Sequence, residues 1–103
     1  SQNTLKSPLI EKSQPEVAII STIKGYVMDK NSIPVAGALV SVNRENGEFI
    51  KEVTSNEKGY FDLGLALTPG IYFASIAAPK MVFEYYKINV KANQDILYKF
   101  KAK

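Results

Sequence analysis

The chain has 103 residues, of which 46% are hydrophobic and 11% aromatic, a composition typical of one folded domain with a single core. It contains no cysteine and no histidine, which excludes disulfides, Cys/His zinc sites and catalytic pairs such as Ser-His or Cys-His. The net charge is only +3, and Arg44 is the single arginine. Because arginine usually leads specific contacts to nucleic acid, we expect no nucleic-acid partner.

Residues 1–16 form a polar segment with Pro8 and Pro15 and no hydrophobic periodicity, which predicts a flexible leader or linker. The folded domain is then expected over residues 17–103. No apolar run reaches the roughly 20 residues that span a bilayer, so we expect no membrane insertion by this chain. The opening residues also lack the apolar stretch of a signal peptide.

β-Branched residues dominate residues 17–29, which predicts the first strand. Its inner face is expected to carry Ile23, Gly25 and Val27. Asp29 then opens a polar turn, in which its carboxylate is expected to accept backbone N–H groups further along the chain. A calcium loop is disfavoured here, because Ile33 and Pro34 replace the ligands that such a loop needs.

Residues 36–44 form the predicted second strand, with Ala38, Val40 and Val42 facing inward. The Asn46-Gly47 pair that follows predicts a type I′ hairpin, because such turns need positive φ at both central positions. The return strand is expected over residues 48–54. Apolar and polar side chains are mixed on both of its faces, so the sequence does not indicate which face is buried.

Further alternating runs predict the remaining strands. They cover residues 60–67, 71–78, 81–91 and 95–103. The clearest alternation places Phe61, Leu63, Leu65 and Leu67 on one face. With no helical pattern and about seven strands, the sequence predicts an all-β fold: a seven-stranded antiparallel two-sheet sandwich, transthyretin-like or immunoglobulin-like.

The order of these residues resembles the carboxypeptidase regulatory-like domain family over about residues 17–103. The resemblance rests on three patterns: Ile23-x-Gly25-x-Val27-x-Asp29, Pro34-Val35-x-Gly37-Ala38-x-Val40-x-Val42, and Thr54 followed by Gly59-x-Phe61-x-Leu63 and Pro69-Gly70-x-Tyr72. It implies a transthyretin-like (prealbumin-like) β-sandwich. Such domains lie beside zinc carboxypeptidases, at the N-terminus of TonB-dependent receptors and in secreted or cell-surface proteins, usually without catalysis of their own.

The resemblance and the missing catalytic residue types together predict a non-catalytic accessory or interaction module of an exported or cell-envelope protein. We expect it in the periplasm, in the outer membrane or outside the cell, with a protein partner: a neighbouring domain or an envelope protein. No catalytic, metal or cofactor-binding residue is predicted, and no cofactor. The interaction surface is expected at an outward aromatic set, Tyr26, Phe83 and Tyr85.

Three alternatives stay open. A carbohydrate-binding module would use some of the six tyrosines as stacking platforms, although the chain has no tryptophan. An adhesin-like module would join Lys24 to Asn89 or Asn93 by an isopeptide bond. An enzyme would need a carboxylate pair, and the glutamates around the Asn46-Gly47 hairpin are better explained as a solvated turn. The sequence carries no signal for an oligomeric state.

Overall fold

Two β-sheets make up the part of the chain that the computed structural model describes, residues 20–103. Their strands are β1 (Lys24–Met28), β2 (Leu39–Arg44), β3 (Phe49–Thr54), β4 (Tyr60–Asp62), β5 (Gly70–Ala77), β6 (Tyr86–Val90) and β7 (Leu97–Lys101). The predicted all-β, seven-stranded, two-sheet sandwich is confirmed. The predicted leader, residues 1–16, lies outside the described residues, as does the start of the predicted first strand.

The strand order is β4-β1-β7 in the three-stranded sheet and β3-β2-β5-β6 in the four-stranded sheet. Within residues 20–103 four of the five strand pairs are antiparallel, and the fifth, β1 with β7, is parallel from Lys24 opposite Leu97 to Met28 opposite Lys101. For that pair the prediction of antiparallel strands was wrong. A tight hairpin forces antiparallel pairing, but β1 and β7 are joined only through the rest of the sandwich, so no turn fixes their relative direction.

The core lies between the inner faces of the two sheets. Its largest fully buried side chains are Phe61, Ile23, Leu63, Val27, Val40 and Val42. Phe100 of β7 connects the two sheets: its ring centroid lies 5.5 Å from that of Phe61 and 4.5 Å from that of Tyr86. The inward faces predicted for the first two strands are therefore confirmed.

The predicted strand over residues 60–67 is shorter than expected. Only Tyr60–Asp62 pairs with β1. Leu65, which was expected on one face with Phe61 and Leu63, is 41% exposed, whereas those two are buried. The Gly64 N–H donates a hydrogen bond of 2.8 Å to the Asp62 carboxylate. This contact turns the chain away from the sheet, so the alternation of leucines no longer corresponds to a strand.

Two turns test the local sequence rules. Asp29 accepts hydrogen bonds from the N–H groups of Asn31 (2.8 Å) and Ile33 (2.9 Å), as predicted. The type I′ hairpin was wrong, because only Gly47 has positive φ (93°) and Asn46 does not. The Gly47 N–H donates to the Arg44 carbonyl at 2.9 Å, which fits a three-residue loop with a glycine bulge.

Candidate interaction surfaces

The three aromatic residues predicted as one surface lie in three different places. Tyr26 lies on β1, where it points away from the core on the outer side of the three-stranded sheet. Tyr85 directly precedes β6, is 63% exposed and lies on the outer side of the four-stranded sheet. Phe83 is half-buried against the core. The structure therefore does not bring the three residues together.

Phe83 differs from expectation because residues 81–85 do not form a strand. Strict alternation of side chains holds only where the backbone is a regular strand, and β6 begins at Tyr86. Phe83, which was expected outward, packs against the core, while its neighbour Val82 is 62% exposed. Phe83 therefore does not point outward as expected, whereas Tyr85 does.

The outer side of the three-stranded sheet presents an aromatic pair among charged groups, and we call it the tyrosine face. It consists of Lys24, Tyr26, Met28, Tyr60, Asp62 and Lys99. Strand register builds it, since Tyr26 lies opposite Tyr60 on β4 and opposite Lys99 on β7, and Lys24 lies opposite Asp62. The neighbouring residues Gly25 and Phe61 are buried, so the face points to solvent.

The centre of the tyrosine face is the ring pair of Tyr26 and Tyr60. Their centroids are 5.4 Å apart with an interplanar angle of 62°, an edge-to-face arrangement favoured by the ring quadrupoles. The Tyr60 hydroxyl donates to the Asp62 carboxylate at 3.3 Å. Partial desolvation raises the pKa of Tyr60 above its ordinary value of 10.0, and the charge of Asp62 adds to the rise.

An ion pair borders the same face. The Lys24 ammonium lies 2.8 Å from the Asp95 carboxylate. This hydrogen bond raises the pKa of Lys24 above its ordinary value of 10.5, so the Lys24 ammonium is charged at neutral pH. The face thus has a neutral aromatic centre and a rim carrying both signs of charge. An ammonium held in this pair is also unsuited to the isopeptide bond considered for Lys24.

The outer side of the four-stranded sheet is different, and we call it the phenylalanine face. It consists of Ser41, Asn43, Phe49, Phe73, Ser75 and Tyr85. Asn43 lies opposite Phe49 on one side and opposite Phe73 on the other, and Ser41 lies opposite Ser75. The rings of Phe73 and Tyr85 stack with centroids 5.2 Å apart and an interplanar angle of 2°.

Sequence reasoning missed three aromatic residues of these faces: Phe49, Tyr60 and Phe73. For Phe73 and Tyr60 a signal was present, because each alternates with buried residues: Tyr72 and Ala74 flank Phe73, and Phe61 follows Tyr60. For Phe49 the signal was absent, since β3 mixes apolar and polar residues on both faces. The structure shows Phe49 to be 60% exposed.

The remaining polar groups offer little chemistry. In residues 20–103 no group of three or more His, Cys, Asp or Glu side chains is arranged to hold a metal ion. Glu48 lies 3.2 Å from Arg44, a surface ion pair. A hollow of about 370 Å³ beside the β2–β3 hairpin includes Tyr72 in its lining, but the Tyr72 hydroxyl already donates to the Thr68 carbonyl at 2.7 Å.

No helix within residues 20–103 is long and apolar enough to cross a bilayer.

A comparison with curated proteins returns no significant match. The sequence profile of the carboxypeptidase regulatory-like domain matches residues 22–102, which confirms the resemblance. Domains of this family are generally non-catalytic, have a transthyretin-like fold and occur in extracytoplasmic proteins. With four fifths of its length matched and the sandwich in place, the chain belongs to the carboxypeptidase regulatory-like domain family.

Proposed function

We propose that this chain is a non-catalytic accessory module of an exported or cell-envelope protein, and that it works by holding a protein partner. The partner is a neighbouring domain or another envelope protein. The observation that supports this proposal is the tyrosine face. There the ring pair of Tyr26 and Tyr60, on the outer side of the sheet, is bordered by charges of both signs.

Such a surface suits a protein partner for two reasons. Tyrosine is enriched where interfaces bind most strongly, because its ring buries a large area with few rotatable bonds and its hydroxyl keeps a hydrogen bond. Charges at a rim contribute less to affinity, but they orient the partner and exclude partners with the wrong charge pattern. Tyr26 and Tyr60 form the first element, and Lys24, Asp62, Asp95 and Lys99 form the second.

The absence of catalysis is supported by how the acidic side chains are used. Asp29 and Asp62 hold turns through backbone N–H groups, and Glu48 and Asp95 form surface ion pairs. None of these carboxylates is buried, and burial is the usual way in which a protein raises the pKa of a catalytic acid. The sequence offers no histidine or cysteine to replace them.

Photo-crosslinking tests the protein contact. A photoreactive phenylalanine analogue at position 26, in cells that make the protein, should produce one discrete adduct with a second protein or with a neighbouring domain of the same chain. The matched control is the same analogue at position 58, where Lys58 lies in an exposed turn outside the tyrosine face. Adducts of equal yield at both positions would show unspecific proximity and would contradict the proposal.

A second variant separates recognition from proximity. Tyr60→Ser keeps position 26 available for crosslinking but removes half of the aromatic centre, so the adduct yield should fall several-fold while the domain stays folded. Folding is checked by the thermal transition of the purified variant. An unchanged yield in a folded variant would mean that the tyrosine pair does not recognise the partner.

Localisation is tested separately. Fractionation of the same cells should place the protein in the envelope fraction or in the medium. A protein found wholly in the cytosol would remove the export part of the proposal and leave the protein contact to be judged by crosslinking alone.

A further inference from the structure

The phenylalanine face is separate from the tyrosine face. The two sheets pack through their inner faces, so their outer sides point in opposite directions. A partner held on the tyrosine face therefore leaves the phenylalanine face open. The two surfaces also differ in chemistry, and this difference indicates a different class of ligand.

The centre of the phenylalanine face is a flat ring platform. Phe73 and Tyr85 are parallel to within 2°, and Tyr85 is 63% exposed although one side of its ring is covered by Phe73. Among the ring pairs of residues 20–103, Tyr85 stacks only with Phe73, so its other side is open to a ligand that presents a flat apolar face. The C–H face of a pyranose sugar is such a surface, and its C–H groups are drawn to the electron-rich face of an aromatic ring.

A second aromatic residue extends the platform across the sheet. Phe49 on β3 and Phe73 on β5 lie on either side of Asn43 on β2, in one row across three adjacent strands. Two strand spacings separate Phe49 from Phe73 by about 10 Å. Two linked pyranose rings of an extended chain span this distance, so successive sugars can meet successive aromatic side chains.

The groups between the rings are small, polar and available. The side chains of Ser41, Asn43 and Ser75 make no hydrogen bond to another residue within 20–103. An amide and two hydroxyls can both donate and accept, which is what sugar hydroxyls require. Placed beside stacking rings, they would fix the orientation of a sugar.

The charges around the phenylalanine face do not favour a strongly charged ligand. All six residues of the phenylalanine face are uncharged, and the nearest charged positions in register are Glu52, opposite Ser41, and Lys87, opposite Phe73, on the two edge strands. These charges have opposite sign and lie at opposite margins. A phosphate backbone or an acidic polysaccharide would gain little here, whereas a neutral chain matches the uncharged centre.

We propose that the phenylalanine face binds a neutral, extended polysaccharide of the β-1,4-linked hexose type. The chain lies across the strands, from Phe49 over Asn43 to the platform of Phe73 and Tyr85. This site does not depend on the protein contact of the tyrosine face, and either can exist without the other.

The test is an NMR titration of the full 103-residue chain, labelled with ¹⁵N, against cellohexaose and mannohexaose. We expect at least one of the two to shift the backbone signals of β2, β3 and β5 at residues 41, 43, 49, 73 and 75, together with that of Tyr85. Signals of Tyr26 and Tyr60 should not move. If neither sugar moves the signals of the phenylalanine face, or if the shifts gather elsewhere, the proposal is overturned.

Variants assign the binding to the rings. Tyr85→Ala and Phe49→Ala should each raise the dissociation constant for the sugar by up to about tenfold, the scale of one aromatic contact. Both side chains are more than half exposed, so the fold should survive, and the ¹⁵N spectrum shows whether it does. Tyr26→Ser is the matched control and should bind sugar as the parent does.

A protein on this face is the competing outcome. Suppose that the chain binds neither sugar and that a photoreactive residue at position 85 yields a discrete protein adduct in cells. This result would overturn the glycan proposal in favour of a second protein contact.

Discussion

Gly25 shows how one residue fixes the pairing of the three-stranded sheet. It lies opposite Tyr98 on β7, and a Cβ atom at this position would overlap the Tyr98 carbonyl oxygen and lie 2.7 Å from both the Tyr98 nitrogen and carbonyl carbon. These are backbone atoms, which cannot rotate away as a side chain would. The glycine in the first family pattern is therefore explained by close approach of two strands.

Gly25→Ala should lower the free energy of unfolding by about 3 kcal/mol or more, because β7 must move away from β1 to admit the methyl group. Gly47→Ala is the matched control: it has open space around it and a positive φ of 93°, so about 1 kcal/mol is expected from backbone strain alone. Denaturant unfolding of both variants measures the difference, and equal losses would contradict the close approach.

Tyr98 gives the fold an alkaline dependence. Burial raises its pKa above the ordinary value of 10.0, so the unfolded chain loses this proton at a lower pH than the folded chain. The stability linked to the proton is present in full below about pH 10 and is lost as the pH rises through the folded pKa. Between about pH 9 and about pH 11 the parent should thus lose more stability than Tyr98→Phe.

Urea unfolding across this pH range makes the comparison. Lys24 and Tyr60 also have raised pKa values and act in the same direction, so the Tyr98→Phe variant should keep part of the alkaline loss. Parallel stability curves for parent and variant would show that Tyr98 does not titrate differently in the folded state.

At the scale of elements, Ser55 connects the end of β3 to the segment that leads into β2. Its side chain is buried, donates a hydrogen bond of 2.7 Å to the Val35 carbonyl and accepts one of 2.9 Å from the Ala38 N–H. Val35 and Ala38 are themselves buried, so these two backbone groups depend on the hydroxyl for their hydrogen bonds. One hydroxyl thus provides the hydrogen-bond partner of both backbone groups just before β2.

Ser55→Ala should cost about 2 kcal/mol, because it leaves a buried donor and a buried acceptor without partners. Ser75→Ala, an exposed serine on the outer face of β5, serves as the control and should change stability by less than about 0.5 kcal/mol. Thermal unfolding measures both. A loss from Ser55→Ala as small as that of the control would mean that the loop rearranges and gives the Val35 carbonyl and the Ala38 N–H other hydrogen-bond partners.

Elements were predicted well where side chains alternate and poorly where contacts across the fold decide. Alternation of Ala38, Val40 and Val42 is a property of one strand, and it located that strand and its inner face. The parallel pairing of β1 with β7 depends on how the whole chain folds back. The short β4 depends on a hydrogen bond from Gly64 to the Asp62 side chain, which the leucine pattern does not reveal.

At the scale of the molecule, the register between strands decides which side chains lie together on one surface. Tyr26 was predicted to point outward, but its neighbours on the tyrosine face come from β4 and β7, so the face could not be drawn from β1 alone. The phenylalanine face joins Asn43, Phe49 and Phe73 from three strands. Sequence reasoning therefore grouped Tyr26 with Tyr85, although the two lie on opposite sides of the sandwich.

Hydroxyl-radical footprinting tests the central claim, that this sandwich acts by contact through its tyrosine face. The protein is oxidised once in its native assembly and once as the purified chain, and mass spectrometry measures oxidation at each side chain. We predict that oxidation of Tyr26, Met28 and Tyr60 falls several-fold in the assembly, while that of Met81, which is not part of either face, does not change. Equal oxidation of Tyr26 and Tyr60 in both samples would contradict the account.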